Sequence, residues 1–367
     1  MSLAGDIALV IVLCVLLQNI LLFIAALLRS RDADKLPPET LPKIAVLIAC
    51  RNEEHTISRC LETLLSLNYP EDKLTIWVGN DESEDNTSLI LRKYAQKHPR
   101  IRVVDVNEQM GHARGKANVL AHLCRRTSAE FLFFTDADTV VPQAWVMTIL
   151  PHFNKGVGMV VGSTLVSADN LWGKVQRNDW ALAQAMLKTV SDYFRPVTGM
   201  GNNMAISREA YLATGGYEAL PPTIVEDFEL FRAIKKASFS VRHLVSKPLT
   251  ALTLPVDNLS RLLHQRKRWM QGALQIHWLL RGFLMLQALY YPSIILLFIF
   301  TWPLSLSLAL VKSAIQIMII AKFVNRAGRK SDIISLLIFE LYSATLSLTL
   351  LFFYFLPVKI RWKNREY

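Results

Sequence analysis

The chain has 367 residues, of which 52% are hydrophobic and only 19% charged, and its mean hydropathy is +0.27. This composition is more apolar than that of an ordinary soluble domain, and the length suffices for one large core plus membrane segments. The four cysteines form no CxxC pair, which argues against a disulfide framework and a zinc knuckle. The net charge of +11 suits either nucleic acid or anionic lipid, so the positions of the basic residues must decide.

The N-terminal residues 7–28 form an apolar window long enough to cross a bilayer, for which about 20 residues suffice. A cleaved signal peptide would carry basic residues before this window, but here they follow it. We therefore predict that residues 1–30 are an uncleaved membrane anchor whose basic end is cytoplasmic. The basic residues that follow the window are Arg29, Arg31, Lys35 and Lys43.

The C-terminal residues 283–357 contain the other apolar windows and predict about three membrane helices. Residues 283–321 are too long for one span and are broken by Pro303, so they predict a helical hairpin, and residues 333–356 predict a third helix. The positive-inside tendency places the polar region between the anchors in the cytosol. Four spans would send the basic C-terminal tail to the opposite side, so one C-terminal segment is expected to be interfacial or re-entrant.

Two charged residues, Lys312 and Glu340, fall inside the C-terminal windows. They form a functional polar pair at membrane depth, or they face the helix bundle or extend toward the interface. The second interpretation requires nothing beyond packing, and the sequence leaves both open.

After a short Pro-rich linker at residues 36–41, apolar runs alternate with helical patterns. Strand, helix and strand in this rhythm predict an α/β domain with parallel βαβ units and right-handed crossovers. The predicted strands are residues 44–49, 74–78, 101–106 and 130–134, and the predicted helices lie near residues 54–67, 87–97 and 113–124.

Acidic residues follow three of the predicted strands at the point where each strand ends. Ligands of a parallel sheet bind outside the carboxyl ends of its strands, so these residues should share one rim. Clustered carboxylates are unfavourable until a cation joins them, and Mg²⁺ or Mn²⁺ bridging to a substrate diphosphate uses one or two of them. We predict that Asp138 contacts this metal and that Asp136 binds the metal or a ribose. The other rim residues are Asn52, Glu53 and Glu54 after the first strand and Asp81 after the second.

Two neighbouring motifs are rejected. Residues 81–92 resemble a calcium loop, but Asn86 and Arg92 stand where Gly and Glu are needed. The sequence GHARGK at residues 111–116 is one residue short of a P-loop. Its Lys116 remains a candidate for binding a nucleotide, and a surface lysine on a helix is the alternative.

A second acidic pair, Glu226 and Asp227, stands at the start of a predicted helix. Such carboxylates either complement the helix dipole, as a routine surface feature, or supply a general base that removes a proton from an attacking hydroxyl. Spacing alone does not separate the two.

Residues 257–281 predict an amphipathic helix that lies along the membrane surface. Its basic side would hold the anionic headgroups of membrane lipids. In the sharper interpretation, Arg268 neutralises a diphosphate and Trp269 stacks on a sugar or an acceptor, and both roles are compatible.

Together these residues resemble a membrane-anchored family 2 glycosyltransferase. The resemblance rests on the D, DxD, ED and QxxRW series that ceramide glucosyltransferases share with the cellulose and hyaluronan synthases. It covers about residues 43–281, and it implies a GT-A fold, Rossmann-like and mostly parallel, for residues 43–256. Val225 departs from the Thr usual before the acidic pair. The matching stretches are IACRNEE with Asp81, DAD at 136–138, TGMGNNMAISREAYLATGGY, Glu226 with Asp227, and QRKRW with Gln265, Arg268 and Trp269.

The resemblance implies an inverting transfer in which Asp227, beside Glu226, deprotonates an acceptor hydroxyl that attacks a nucleotide sugar, a UDP-sugar. Glu53 and Asp81 would hold the uridine base, and Mg²⁺ or Mn²⁺ on Asp138 and Asp136 would hold the diphosphate. The membrane helices favour a lipid-like acceptor. The expected donor-binding residues are Asn52, Glu53, Asp81, Lys116, Asp136, Asp138, Gln265, Arg268 and Trp269.

Other functions remain as alternatives. A processive polysaccharide synthase would need more membrane helices, an inactive scaffold that binds anionic lipid would not need the acidic rim, and a hydrolase with two carboxylates would need neither nucleotide nor metal. Nucleic acid is not an expected partner, because the basic residues gather near membrane segments without a reader motif. We expect an integral protein of the bacterial cell membrane with its catalytic domain on the cytoplasmic side; the sugar, the acceptor and the oligomeric state stay open.

Overall fold

A computed structural model of the chain describes residues 3–28, 38–359, 361–362 and 365–366. The chain forms two units, and each is described by itself. The sheet unit comprises Asp32–Leu165 and Phe194–Leu254, and the membrane unit comprises Met1–Arg31, Val166–Tyr193 and Pro255–Tyr367. Arg29, Arg31, Lys35, the first two linker residues and, in the basic tail, Lys363 lie outside the described residues.

The secondary structure follows the chain in this order. The helices are α1 (Leu3–Leu28), α2 (Ile57–Leu65), α3 (Thr87–Lys97), α4 (Gly115–Arg126), α5 (Trp145–Ile149), α6 (Leu171–Tyr193), α7 (Arg208–Ala213), α8 (Glu226–Lys236), α9 (Leu259–Ala273), α10 (Trp278–Phe300), α11 (Trp302–Arg326), α12 (Ile333–Leu337) and α13 (Phe339–Phe355). The strands are β1 (Ile44–Cys50), β2 (Leu74–Asn80), β3 (Ile101–Asp105), β4 (Phe131–Thr135), β5 (Val157–Val161), β6 (Thr164–Val166), β7 (Asn203–Ser207), β8 (Ser240–His243), β9 (Ala251–Thr253), β10 (Arg361–Trp362) and β11 (Arg365–Glu366). Short 3₁₀ turns lie at Glu71–Lys73, Leu150–His152, Tyr217–Ala219 and Lys247–Leu249.

The sheet unit is built on a seven-stranded sheet with the order β3-β2-β1-β4-β7-β5-β8. Strands β1 to β4 are parallel, as the sequence predicts, and β7 runs antiparallel to both of its neighbours. The predicted mostly parallel α/β fold is therefore confirmed. The strand order reverses between β1 and β4, which is where sheets of this kind bind ligands.

The core of the sheet unit explains why these runs become strands. Strand β1, IAVLIAC, is almost fully buried, as expected of a central strand covered on both faces. On one face, Phe133 of β4 packs edge-on against Trp145 with 5.1 Å between ring centroids. Helix α4 packs closely against Gly79 of β2. Any side chain at this position would clash, because a Cβ at Gly79 would lie 2.2 Å from Val119.

The helix after β1 begins three residues later than the sequence pattern indicates. The pattern places its start near Glu54, but α2 begins at Ile57. The intervening residues form a turn that is bonded to the loop after β2: Glu53 N–H donates to Thr87 Oγ1 at 2.7 Å, and Glu54 N–H donates to Asp85 at 3.2 Å. These bonds hold residues 53 and 54 in a turn against the loop after β2, and the helix begins after that turn.

The membrane unit contains three helices, α1, α10 and α11, that are long and apolar enough to cross a membrane within the part of the chain that the structure describes. The predicted hairpin divides at Thr301, and Pro303 lies in the first turn of α11, where a missing N–H costs nothing. The predicted third helix is divided into α12 and α13, and α13 is shorter than a full span.

The predicted amphipathic segment at residues 257–281 is not one helix. Helix α9 ends at Ala273, and α10 begins at Trp278, with His277 accepting a hydrogen bond from Leu279 N–H at the new start. The predicted C-terminal bound was wrong because apolar residues keep their helical spacing across the break between Ala273 and Trp278, so the pattern alone does not show the break.

Candidate active site

Lys116 occupies the centre of an acidic cluster in the sheet unit. It lies in the first turn of α4, after Gly115, whose φ of 51° favours a residue without a Cβ. Its Nζ lies 2.6 Å from Asp136 Oδ1 and 3.1 Å from Glu226 Oε1. The lysine is only 15% exposed, so the surface-lysine alternative is wrong. One ammonium thus joins the acidic turn after β4 to the acidic start of α8.

The electrostatics of Lys116 follow from this position. Burial alone would lower the pKa of its ammonium, but the charges of Asp136 and Glu226 raise that pKa above the ordinary value. The lysine is therefore a permanent cation. Because Glu226 is only 11% exposed and bonded to it, Glu226 is not a routine helix-end carboxylate at the surface.

Asp227 is held by backbone rather than by Lys116. Its Oδ2 accepts a hydrogen bond from Gly201 N–H at 2.8 Å, and its Oδ1 accepts one from Phe228 N–H at 2.8 Å. Burial and the neighbouring charge of Glu226 raise the pKa of Asp227 to about 6, against the lowering effect of Lys116 and of these hydrogen bonds. A carboxylate with that pKa is suited to accept a proton near neutral pH.

The loop before β7 completes the surroundings of Asp227, and the sequence assigned it no role. Strand β7 is antiparallel to β4 with Asn203 opposite Thr135, so the loop before β7 lies beside the end of β4. A Cβ at Gly199 would lie 2.8 Å from the carbonyl oxygen of Asp227, and one at Gly201 would lie 3.3 Å from Lys116 Nζ. Because Gly199 and Gly201 have no Cβ, the loop can lie close to Asp227 and Lys116. The paired glycines of GMG were the feature of the sequence that could have indicated this close contact.

The two aspartates after β4 differ in their partners. Asp136 carries the bond to Lys116, whereas Asp138 accepts a hydrogen bond from Thr139 at 3.1 Å. The buried thiol of Cys60 lies beneath them, and burial together with the charges of Asp138, Asp136 and Glu53 raises its pKa. The carboxylates that follow β1 and β4 therefore both lie near Cys60, as expected when parallel strands end at the same edge of a sheet.

Asn52, Glu53 and Asp81 lie in two turns that are joined to each other. Asn52 has a φ of 52°, and its Oδ1 accepts a hydrogen bond from Glu84 N–H at 2.9 Å. Asp81 N–H donates to Cys50 carbonyl oxygen at 2.9 Å, which keeps the ends of β1 and β2 level. Glu53 accepts a hydrogen bond from Thr56 at 2.8 Å. The expected donor-binding residues of β1 and β2 thus share one edge, while the Asn52 amide itself holds the neighbouring turn.

The donor atoms at this edge fit a divalent cation only with help from a ligand. Among the described residues, no group of three or more His, Cys, Asp or Glu side chains could hold a metal by itself. Mg²⁺ and Mn²⁺ need just one or two carboxylates when phosphate oxygens complete the shell. Asp138 and Asp136 supply that number, and the 2.6 Å contact of Lys116 Nζ is with Oδ1 of Asp136.

The residues of QRKRW lie on α9, in the membrane unit. Arg266 forms an ion pair with Asp179 of α6, and its guanidinium lies 4.2 Å from the centre of the Trp269 ring. Trp269 also packs edge-on against Trp180 at 5.1 Å. Gln265 and Arg268 are half-buried on the same helix.

Comparison with known proteins places the chain among sugar-transferring enzymes. Residues 42–272 match the sequence profile described as "Glycosyltransferase like family 2". The chain is 30% identical over 259 residues to a beta-monoglucosyldiacylglycerol synthase of Synechocystis sp., covering 68% of this chain and 50% of the relative. It is 28% identical over 243 residues to a poly-beta-1,6-N-acetyl-D-glucosamine synthase of Staphylococcus epidermidis, covering 65% and 56%. The chain spans about half the length of these curated relatives.

A solved structure agrees in fold. The mannosyltransferase PcManGT from Pyrobaculum calidifontis, determined with GDP-Man and Mn²⁺, superposes with a TM-score of 0.62 at 17% identity, covering 96% of this chain and 99% of that one. At this identity the likeness establishes the fold alone, and it agrees with the GT-A architecture that the sequence resemblance implied.

Proposed function

The chain belongs to glycosyltransferase family 2, and from that premise we propose that it transfers a sugar from a UDP-sugar to the hydroxyl of a lipid-like acceptor in the membrane, with inversion at the sugar carbon. The observation that carries the proposal is the cluster in which Lys116 contacts Asp136 and Glu226, beside Asp138 and Asp227. The contacts of Lys116 bring the start of α8, which carries the proposed base, next to the turn after β4, which carries the proposed metal and diphosphate site.

The base is Asp227. A hydroxyl that attacks the sugar must lose its proton as the new bond forms, and a carboxylate with a pKa of about 6 accepts it at neutral pH. The N–H groups of Gly201 and Phe228 hold its two oxygens in one orientation. Attack from the face opposite the diphosphate inverts the sugar carbon in a single displacement.

The departing diphosphate needs positive charge. Asp138 and Asp136 would hold Mg²⁺ or Mn²⁺, which supplies electrostatic stabilisation of the leaving oxygens. Lys116 keeps Asp136 in place for this role at a distance of 2.6 Å. Glu53 and Asp81 would bind the uridine, and the family resemblance assigns donor-diphosphate binding to Gln265, Arg268 and Trp269 of α9 as well.

The acceptor is proposed from the membrane unit and the relatives. The described residues include three candidate spans, and one relative is named a beta-monoglucosyldiacylglycerol synthase. A hydroxyl-bearing lipid such as a diacylglycerol would be held at headgroup level. We further propose that the protein lies in the bacterial cell membrane with its sheet unit on the cytoplasmic side, where nucleotide sugars occur.

The decisive experiment incubates membranes that contain the protein with a panel of radiolabelled nucleotide sugars and Mn²⁺, followed by extraction with organic solvent. Label in the organic phase is the expected result, and membranes with the Asp227→Asn variant serve as the control. If no sugar is transferred from any donor and the purified protein binds neither nucleotide nor metal, the proposal is wrong and an inactive scaffold is the better description.

A processive polysaccharide synthase is the second candidate, because the staphylococcal relative is named for a polymer. Product size separates the two functions: a glycolipid carries one or a few sugars and enters the organic phase, whereas a polymer remains in the aqueous phase and migrates as a high-mass smear on a gel.

A further inference from the structure

The two residues between Gln265 and Arg268 of QRKRW contact different elements on two sides of helix α9. Arg266 forms its ion pair with Asp179 of α6, as described above. The next residue, Lys267, reaches a different element, because consecutive side chains on a helix point about 100° apart. Its Nζ lies 3.0 Å from the carbonyl oxygen of Leu356, 3.0 Å from that of Val358 and 3.5 Å from that of Phe353.

One of these acceptors, Phe353, lies in the last turn of α13, and the other two, Leu356 and Val358, lie in the segment that follows the end of α13 at Phe355. A helix leaves its last four carbonyl groups without partners inside the helix, and a lysine is a favourable partner for them. Helix α13 ends at Phe355 and has no basic residue in its own last turn, so Lys267 supplies from α9 what α13 lacks. An ammonium has three donors, and three carbonyls take them.

Packing around the ammonium makes the contact a fixed one. The Phe353 ring lies 5.3 Å from Lys267 Nζ and 5.2 Å from the ring of His264, which is one turn earlier on α9. Leu262 and Leu263 of α9 pack with Leu346 of α13 in one buried cluster. The helix that carries the motif is therefore joined to α13 along its length and at its end.

We propose that Lys267 is a positioning residue, whose ammonium joins α9 to the last turn of α13 and to the segment that follows it, and thereby fixes Gln265, Arg268 and Trp269 for donor binding. The spacing of QxxRW then has a physical reason: the residues between Gln and Arg anchor the helix, and the outer residues serve the donor. This inference rests on the proposed function, since it assigns the outer residues to the donor site.

The experiment compares Lys267→Met, which keeps the apolar stem and loses the charge, with Lys267→Arg, which keeps donors for the carbonyls. The full chain is reconstituted in lipid nanodiscs, and hydrogen–deuterium exchange is followed over α9 and the end of α13. We expect exchange in Lys267→Met to rise about tenfold in those two segments and to stay unchanged in the sheet unit, and Lys267→Arg to restore at least half of the protection.

Steady-state kinetics on the same samples supply the readout that a purely structural role would not give. Misplacing a group that acts on the leaving diphosphate lowers turnover more than donor affinity, so we expect kcat to fall about tenfold to hundredfold and the donor KM to change less than threefold. Arg261→Met is the matched control, because Arg261 lies on the same helix in an exposed pair with Asp257 and should leave exchange and kcat unchanged.

Unchanged exchange in Lys267→Met would overturn the anchoring contact, whatever the activity. Faster exchange with unchanged kcat would overturn the positioning role. Arg268→Ala separates this inference from the proposed function: if Arg268→Ala is inactive and Lys267→Met behaves as wild type, the positioning role is wrong and the donor role of Arg268 stands.

Discussion

Each unit of the molecule holds a lysine against carboxylate oxygens, but the cluster around Lys116 carries surplus negative charge, whereas Lys312 and Glu340 form a neutral pair. In the sheet unit, Lys116 contacts Asp136 and Glu226, and Asp227 and Asp138 add two more negative charges close by. In the membrane unit, Lys312 is 2% exposed and contacts one carboxylate, Glu340, at 2.8 and 3.0 Å.

The surroundings of Lys312 complete its neutralisation. Its Nζ also contacts the Tyr291 hydroxyl at 3.0 Å and lies 4.5 Å from the centre of the Tyr290 ring. The two charges pair with each other inside the helix bundle and do not extend toward the interface, and the functional interpretation of the pair is tested by the variants below. A neutral, fully bonded pair suits helix assembly, whereas a cluster with surplus negative charge suits the binding of an external cation.

The largest effect is expected from removing the proposed metal carboxylate. Asp138→Ala should abolish metal-dependent donor binding and reduce transfer to background, because the diphosphate loses the cation that neutralises it. Titration of the purified variant with a UDP-sugar, with and without Mn²⁺, checks this. Metal-dependent binding that persists at wild-type affinity would mean that Asp138 does not hold the cation.

Asp227→Asn should lower kcat by about 10² to 10⁴-fold with donor binding intact, because the amide cannot accept the acceptor proton. Because asparagine has the same shape as aspartate, the substitution should leave the donor site intact, and donor affinity serves as the internal control. An active Asp227→Asn enzyme would remove the base assignment.

Lys116→Met tests the surplus charge directly. Without the ammonium the carboxylates repel one another, so we expect the free energy of unfolding to fall by about 1–3 kcal/mol. The partial exposure of Asp136 reduces this effect. We also expect a lower affinity for the donor. Thermal denaturation with increasing Mn²⁺ measures it. A divalent ion should recover part of the loss in this variant; equal stability of variant and wild type without metal would show that the cluster does not need its internal cation.

The pH dependence of kcat/KM should show a falling limb on the acid side. Asp227 acts as a base only when ionised, and its pKa is raised to about 6, so activity is full above that pH and is lost as the pH falls through it. A bound cation moves the limb to lower pH. Profiles from pH 5 to 8 should show this limb in wild type, and a residual Asp227→Asn activity with the same limb would assign it to another group.

The smallest effect on transfer is expected in the membrane unit. Lys312→Met or Glu340→Gln alone leaves an unpaired polar group and should destabilise the bundle by about 3 kcal/mol, whereas the double variant should lose less. Turnover per folded molecule should stay within about twofold of wild type. Unfolding of detergent-solubilised protein and transfer assays on the folded fraction check both, and a large drop in turnover with intact folding would make the pair functional.

Much of the sheet could be predicted because its signals are local. The first four strands begin within one residue of the predicted positions, and α3 has the predicted bounds, since apolar runs and helical spacing are properties of adjacent residues. The later strands were not predicted. Strand β7 enters the sheet between β4 and β5 from far along the chain, and no local pattern announces that insertion.

The candidate site divides in the same way. The sequence by itself determined which acidic residues stand at strand and helix ends, because a strand that stops before Asp81 or Asp136 presents that side chain at the sheet edge. It did not determine their partners. Only the tertiary structure decided that Lys116 serves both Asp136 and Glu226, residues separated along the chain by 20 and 110 positions, and that Lys267 serves α13 rather than a ligand. The physical reason is that a residue's place after a strand fixes the edge of the sheet at which its charge lies. The partner that neutralises this charge depends on which distant elements pack together in the core.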